Sequence, residues 1–405
     1  MAARFTLASS ITDRIEVFSA YISTFSKRSL SLLLLFTVTI SVCFLFSSHS
    51  PNFLSTTPDG FRFAYNETHL LSLGRYDCAS CKQPDIKGLT RQQIWEACLD
   101  PGVVPEYYLT IVLVARAGDN EQYHRVQNAI DSAYAMAEKT KTLTELLFVE
   151  WNPKPGRRRL REMYRYRRSE FLTYRIITIP PRLHQLLQGS SDVHEYEARN
   201  IGIRFARGEF VVTANPENIW SQNMHNAIVS RSWRKKVFYT QNSRTANGVL
   251  EKFATDQQII DACPYNSFEL NSFALPSSVK LELDNYESLT KDSRDFILAH
   301  RDTWRMVHGF REARAQTWID KELLLTAAWT LDIPITHTQE TLTCRQQDSP
   351  ANPPDREEDR EGVHPAKMLD KEEKHMNTKG QWALQHLDIW KHGVQCEVFR
   401  GGLGV

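Results

Sequence analysis

The stretch Tyr107–Ala115, Tyr-Tyr-Leu-Thr-Ile-Val-Leu-Val-Ala, constrains this chain more than any other. A near-continuous apolar, β-branched run suits a strand covered on both faces, the situation of a parallel sheet lined by helices. The pattern then repeats. Val126, Ile130, Ala133 and Ala137 recur at spacings of three and four, the stripe of an amphipathic helix. Residues 143–150 predict a second strand, ended by Trp151-Asn-Pro153, and Arg175–Pro180 a third, closed by two prolines. Ala198, Ile201 and Phe205 share one face of a further helix, Gly208 is its expected C-terminal stop, and residues 209–214 predict a fourth strand. Strand, helix, strand, strand, helix, strand requires right-handed crossovers. It predicts an α/β class: an open, mostly parallel sheet with helices on both faces. Ligands of such sheets sit beyond the carboxyl ends of the strands, so the residues just past each strand are the ones to inspect.

The whole chain has 405 residues, enough for two or three domains. With 41% hydrophobic and 24% charged residues it is an ordinary globular composition, which excludes a disordered, collagen-like or polytopic membrane chain. Lys and Arg number 49 against 48 Asp and Glu, so no global field points to nucleic acid. Residues 29–46 are the exception: they carry no charge, and as a helix they would cover about 27 Å, enough for a thin bilayer. Lys27 and Arg28 precede this run, Arg4 and Arg14 lie upstream, and no Lys or Arg follows until Arg62. The positive-inside rule then leaves residues 1–28 in the cytosol and the remainder in the lumen of the endoplasmic reticulum or Golgi, as a single-pass type II signal anchor. A cleaved signal peptide is the competing reading, against which stand the long upstream segment and the lack of a small-x-small cleavage site.

Cys43 lies in this span and six cysteines follow it (Cys78, Cys81, Cys98, Cys263, Cys344, Cys396), an even number suited to disulfides in an oxidising compartment. Cys78-Ala-Ser-Cys81 also reads as half a zinc site or a redox pair, but no second CxxC or His pair follows. Asn66-Glu-Thr68 is a glycosylation sequon. Polar residues 47–105 read as a lumenal stem, 106–345 as the head, and 346–405 as a charged loop followed by a segment, with Trp382, Leu384, Leu387 and Trp390, that packs back on the core.

No HExxH, GxSxG, P-loop or strand-following GxGxxG is present. What remains are polar residues at strand ends: Glu150 after the second strand, Asn215-Pro-Glu217 after the fourth, and Arg244 after the apparent strand starting at Phe238. A carboxylate and an amide two residues apart can offer oxygens to a hard divalent cation that also holds a diphosphate. Asn-Pro is equally an ordinary turn starter.

Taken together, Leu109–Arg116, Val149-Glu-Trp-Asn-Pro153 and Glu197-Ala-Arg-Asn-Ile-Gly followed by Gly208-Glu-Phe resemble the family 2-type glycosyltransferases of the GT-A fold. That family shows an Ala-Arg-Asn-x-Gly helix, a Gly-Glu-Phe strand and then an Asp-x-Asp-like motif. Downstream, Asp295–Trp304, Gly309-Phe-Arg-Glu312 and Trp318-Ile-Asp320 are similar to its acceptor-side segment, and the resemblance covers roughly residues 107–340. It implies a Rossmann-like nucleotide-diphospho-sugar transferase head. It further implies a UDP- or GDP-linked sugar donor, a glycan, protein or lipid acceptor, a divalent cation (Mn²⁺ or Mg²⁺) and inverting transfer. Position by position, it implies donor contacts at Arg116, Glu150, Asn200 and Asn215, to which Arg244 adds a candidate for donor or acceptor. The implied cation ligands are Asn215, Glu217 and His337, the acceptor contacts Trp304, Glu312 and Trp318, and the general base Asp320.

The chain departs from the family where Asn215 and Pro216 replace the first part of Asp-x-Asp, so that a cation would bind weakly, through water, or not at all. Plainer readings stand beside these. Asp320 also suits an N-cap for a helix from Lys321, His337 a structural histidine, and Trp304 and Trp318 core packing. The basic run Arg157–Arg168 reads as a solvated helix face, beside a contact for a diphosphate, an anionic glycan or lipid headgroups. The alternative function is a catalytically silent relative that binds glycans or partner proteins.

Overall fold

The computed structural model describes residues 93, 96–98, 100 and 102–401, apart from 117–122, 188–192, 242–243, 252–253, 266–272, 275–292, 313–317, 339 and 348–375. The chain divides into two compact units, Met1–His69 and Leu70–Val405, and every described residue lies in the second. The anchor expected over 29–46, the sequon at Asn66, and Cys78 and Cys81 lie outside the described residues. Among those described, no helix is long and apolar enough to cross a membrane.

In chain order the elements are β1 (Tyr107–Ala115), α1 (Tyr123–Thr140), β2 (Thr144–Trp151), α2 (Leu160–Met163), β3 (Leu172–Ile179), α3 (Pro181–Leu186), α4 (Glu195–Phe205), β4 (Gly208–Ala214), β5 (Asn218–Trp220) and α5 (Gln222–Ser230). They continue with β6 (Phe238–Gln241), α6 (Asp256–Ala262), β7 (Phe273–Ala274), β8 (Phe296–His300), α7 (Arg301–Val307), α8 (Ile319–Leu331), β9 (Ile335–Thr338), β10 (Thr343–Arg345) and β11 (Gln395–Phe399). Nine strands form one sheet in the order β11-β3-β2-β1-β4-β8-β6-β9-β7, and β10 pairs with β5 in a second.

β3, β2, β1 and β4 are parallel neighbours, and every residue of β2 and β3 is buried, which is why these segments read as apolar runs without a polar face. Successive residues of β1 face different cores. Ile111 and Leu113 pack with Ile130 and Met136 of α1, while Val112 packs with Ile201 and Phe205 of α4, so helices do cover both faces. The expectation of a mostly parallel sheet needs correcting. β11, β8 and β7 join antiparallel, which makes the sheet mixed. β8 enters from the 3₁₀ turn Ser293–Asp295 at the edge where β4 ends, with Phe296 opposite Ala214, so the chain reverses direction there.

Gly208 is likewise not the helix stop. α4 is capped by Ala206 in extended conformation, and Gly208 opens β4, where a Cβ would lie 2.5 Å from the backbone N of Thr110 in β1. The glycine permits close strand approach. At this amino edge of the sheet Glu145 and Arg175 form a buried ion pair at 2.9 Å, and Thr110 Oγ1 donates to Glu145 Oε2 at 2.6 Å.

The basic run is not a solvated helix face. Only Leu160–Met163 is helical, and the arginines part company: Arg159 pairs with Glu150 at 2.6 Å, Arg161 with Glu397 of β11 at 2.9 Å, Arg165 with Asp131 of α1 at 3.2 Å, and Arg167 with Asp256 of α6. Extended backbone after α2 sends the side chains in different directions, so the run clasps four elements. At the head's other margin, Glu96 pairs with Arg204 of α4 and Arg301 donates to the Val103 carbonyl, which docks part of the segment expected to be stem. Trp382, Leu384 and Ile389 of the C-terminal segment join the core of α4.

Cys263, just after α6, and Cys344 of β10 form a disulfide; Cys98 and Cys396 each take part in a disulfide as well. Loop-closure entropy for the 81-residue separation of Cys263 and Cys344 predicts that the Cys263→Ser/Cys344→Ser variant loses about 3–5 kcal/mol, read as a lower denaturant midpoint with an intact native circular dichroism spectrum.

Candidate functional site

The carboxyl ends of β1, β2 and β4 lie together, fixed by the registers Leu113↔Ala214 and Ala115↔Glu150. Asn215 follows β4 at this edge. Asp295 arrives beside it because β8 runs antiparallel, and Asn215 Nδ2 donates to Asp295 Oδ1 at 2.6 Å. Arg345 of β10 grips the same buried carboxylate with both prongs of its fork, at 2.6 Å through Nε and 2.7 Å through Nη2. Asn218 Nδ2 donates to the Asp295 carbonyl at 3.0 Å. From α4, Arg199 donates to Asn215 Oδ1 at 3.2 Å and pairs with Glu195 at 2.8 Å. Glu217 pairs with Arg125 of α1 at 3.0 Å, and its carbonyl accepts from Gln346 at 2.7 Å.

Asp320 stands in the first turn of α8, only 6% exposed, and accepts a hydrogen bond from Ser293 Oγ. Burial pushes its carboxyl above the ordinary carboxylate range, against the pull of the Ser293 hydroxyl, Lys321 and Arg199. Ser293 and Asp295 belong to one 3₁₀ turn, so that turn ties Asp320 to Asn215. Asp320 is not the N-cap. The helix starts at Ile319 behind Trp318, whose backbone is left-handed (φ 67°, ψ 0°) and whose carbonyl accepts from Glu322 N at 2.8 Å.

The Gly309-Phe-Arg-Glu312 loop is held by Asn200. Its Oδ1 accepts from Phe310 N at 2.7 Å, and its Nδ2 donates to the Phe310 carbonyl at 2.7 Å and to Glu312 Oε1 at 2.8 Å. Gly309 has φ +65°, and a Cβ there would lie 2.2 Å from Asn200 Oδ1, so only glycine lets the loop close on the amide. Glu312 also accepts from Ala383 N at 2.6 Å, and desolvation pushes its carboxyl up to about 7 despite these hydrogen bonds. It opens onto a polar cleft of about 560 Å³ lined by Arg311, Asn377, Thr378, Gln381 and His386.

Other expected residues fall elsewhere. Trp304 is fully buried, donates from Nε1 to the Val211 carbonyl at 3.0 Å, and packs edge-on against Phe238, so its ring offers no face to a sugar. Trp318 is half-buried with Lys321 over its ring at 4.1 Å. Glu150, 1% exposed, accepts from Arg159 Nε and Nη2, Leu160 N and Thr178 Oγ1, all within 3.0 Å, which commits it to the arginine clasp. Asn200 is spent on the loop. Arg116 follows β1 half-buried, and Arg244 is exposed, with its carbonyl accepting from Arg345 N at 2.7 Å. Asp295, Ser293, Arg125 and Arg345 escape sequence reasoning as site residues. Asp295 opens the Asp295–Trp304 segment that the resemblance picks out, but nothing local marks Arg345, 50 residues further on.

A divalent cation does not fit the expected ligands. Asn215 presents its oxygen to Arg199, and Glu217 faces Arg125. His337 is hydrogen-bonded to Thr240 at 3.0 Å in β9, with β8 and β6 between it and β4. Among the described residues no group of three or more His, Cys, Asp or Glu is placed to hold a metal ion.

No protein-family profile matches the chain, and no curated protein matches it. Among solved structures it is similar to S. aureus TarS residues 1–349, at 12% identity and TM-score 0.36 over 59% of this chain and 60% of that one. It is similar also to a mycobacterial protein (13%, TM-score 0.33, 61% and 69%) and to GalNAc-T7 with UDP, GalNAc and Mn²⁺ (11%, TM-score 0.33, 61% and 45%). The chain thus spans about three fifths of the TarS fragment and under half of GalNAc-T7. Scores this low carry no weight for fold or function, which rest on the chain's own residues.

Glu312 gives a pH signature. An acid held protonated to about 7 in the fold, but ionising near 4.3 when unfolded, adds stability that is full below the unfolded value and lost as pH rises through 7. Thermal unfolding at pH 5 and pH 8 is expected to differ by a component of about 1–3 kcal/mol that disappears in Glu312→Gln.

Proposed function

We propose that this chain is a glycosyltransferase that moves a sugar from a nucleotide-sugar donor to an acceptor hydroxyl, with Asp320 as general base. One observation carries the reading: at the carboxyl edge of the sheet, the Ser293–Asp295 turn joins a buried carboxylate, Asp320, to the strand-end residue Asn215 and to Arg345. Crevices at that edge are where open α/β sheets bind nucleotides. In this reading Arg116 and Arg244 lie on the donor side, and Trp318, Glu312 and its polar cleft on the acceptor side.

The chemistry is a single displacement. The acceptor oxygen forms a bond to the anomeric carbon while the bond from that carbon to the diphosphate oxygen breaks, and the electron pair leaves with the nucleoside diphosphate. Asp320 takes the hydroxyl proton, and attack from the face opposite the leaving group inverts the configuration. A carboxylate raised by burial suits a base working nearer neutrality than an ordinary aspartate. Residues 29–46, read as a signal anchor, would place this reaction in the lumen of the Golgi or endoplasmic reticulum. The second reading is a silent relative that binds without transfer, and the near-complete burial of Asp320 favours it.

The chain, incubated with UDP- and GDP-sugars and a panel of glycan acceptors, is expected to release nucleoside diphosphate. Asp320→Asn is expected to lower turnover about 10²–10⁴-fold with donor affinity nearly unchanged. Because the base works ionised, turnover falls as pH drops through its raised pKa, and this limb disappears in the variant. Unchanged turnover in Asp320→Asn removes Asp320 from the chemistry; donor binding without release selects the silent relative.

A further inference from the structure

We propose that the Asn215–Glu217 turn receives the donor's diphosphate on guanidinium groups, Arg345 foremost with Arg244 beside it, and not on a divalent cation, while the buried Arg199 only holds the turn. The inference rests on the glycosyl-transfer reading above. A cation that bridged this turn to a diphosphate would need bare oxygens from residues 215 and 217 in anionic surroundings. Each candidate oxygen instead faces a fixed positive charge: Arg199 at Asn215 Oδ1, Arg125 at Glu217, Arg345 at Asp295. The residue at the first position is an uncharged amide whose Nδ2 is already turned to Asp295. A divalent ion there would sit among three guanidinium groups, and the like charges repel it.

The same arrangement suits a phosphate group. Planar guanidinium forks match phosphate oxygens, and an arginine held by a buried acid is pre-oriented. Arg345 shows that geometry: its side chain is 46% exposed while that of Asp295 behind it is 2% exposed, so the carboxylate lies inside and the guanidinium faces outward. Arg244 is exposed, and its carbonyl accepts from Arg345 N, so the two arginines are main-chain neighbours. The acids of the site are all engaged: Glu195 with Arg199, Glu217 with Arg125, Asp295 with Arg345, Asp320 with Ser293. They hold the arginines in place and leave no cluster of carboxylates at the turn for a cation. Asp295 acts through Arg345 and is a positioning residue.

Calorimetric titration of the full chain with pyrophosphate, UDP and GDP, each in EDTA and in Mn²⁺, tests this. UDP or GDP is expected to bind in EDTA with an affinity within about threefold of that in Mn²⁺, falling as salt rises. Arg345→Met and the surface variant Arg244→Ala, whose fold cannot depend on an exposed side chain, are each expected to weaken binding, the former by about tenfold or more. Binding that vanishes in EDTA and returns with Mn²⁺ overturns the proposal and leaves the glycosyltransferase reading standing. Cation-free binding untouched by both substitutions also overturns it, since the arginines then serve only as internal ion pairs. No binding of either nucleotide in either condition removes the donor reading and this proposal together.

Discussion

Asp295 is the contact on which the site depends. A carboxylate taken out of water is costly unless charge and hydrogen bonds replace the solvent. Here the replacement comes from Asn215 beyond β4 and from the fork of Arg345 in β10, while the backbone carbonyl of Asp295 takes the Asn218 amide. Three separate stretches of chain are therefore fixed relative to one another by one buried residue. The first residue of the same turn extends the effect, because Ser293 reaches Asp320 at the head of α8. The distance between the strand-end amide and the buried acid is set by a three-residue turn and not by either of the elements that carry them.

The two edges of the sheet use similar chemistry to different ends. At the amino edge Arg175 and Glu145 are both buried, and Thr110 completes the acid's shell, so the pair can only serve the fold. At the carboxyl edge Arg345 is paired just as closely, but its outer side meets solvent. Pairing alone does not separate a structural arginine from one that can meet a ligand. Which partner is buried does.

How much of this was legible in the sequence follows from what local patterns encode. β1, β2 and β4 were readable because burial on both faces leaves an uninterrupted apolar run, and α1 and α4 because their apolar residues keep helical spacing. The direction of β8 and the pairing of β11 with β3 were not, since a strand's partner leaves no mark on its own periodicity. Strand ends pointed to Asn215 and the family resemblance to Asp320, whereas Glu150, also at a strand end, turned out to be claimed by Arg159, Leu160 and Thr178. Trp304 misleads for a related reason: an aromatic residue beside a site motif looks the same in sequence whether its ring faces a crevice or the core. The Arg157–Arg168 run misleads through composition, because charge density says nothing about where each guanidinium ends once the backbone leaves the helix.

The bond between Cys263 and Cys344 encloses more than its own strands. Residues 264–343 contain Asp295, Glu312 and Asp320, the acids of the site's two halves, while Arg345 lies just beyond the bridge. A single backbone cut anywhere in that interval would leave one covalent molecule, with both ends of the break still tethered to the same two cysteines. A nick on either side of Asp295 therefore leaves that acid covalently joined, through the bridge or the backbone, to the stretch that carries Arg345.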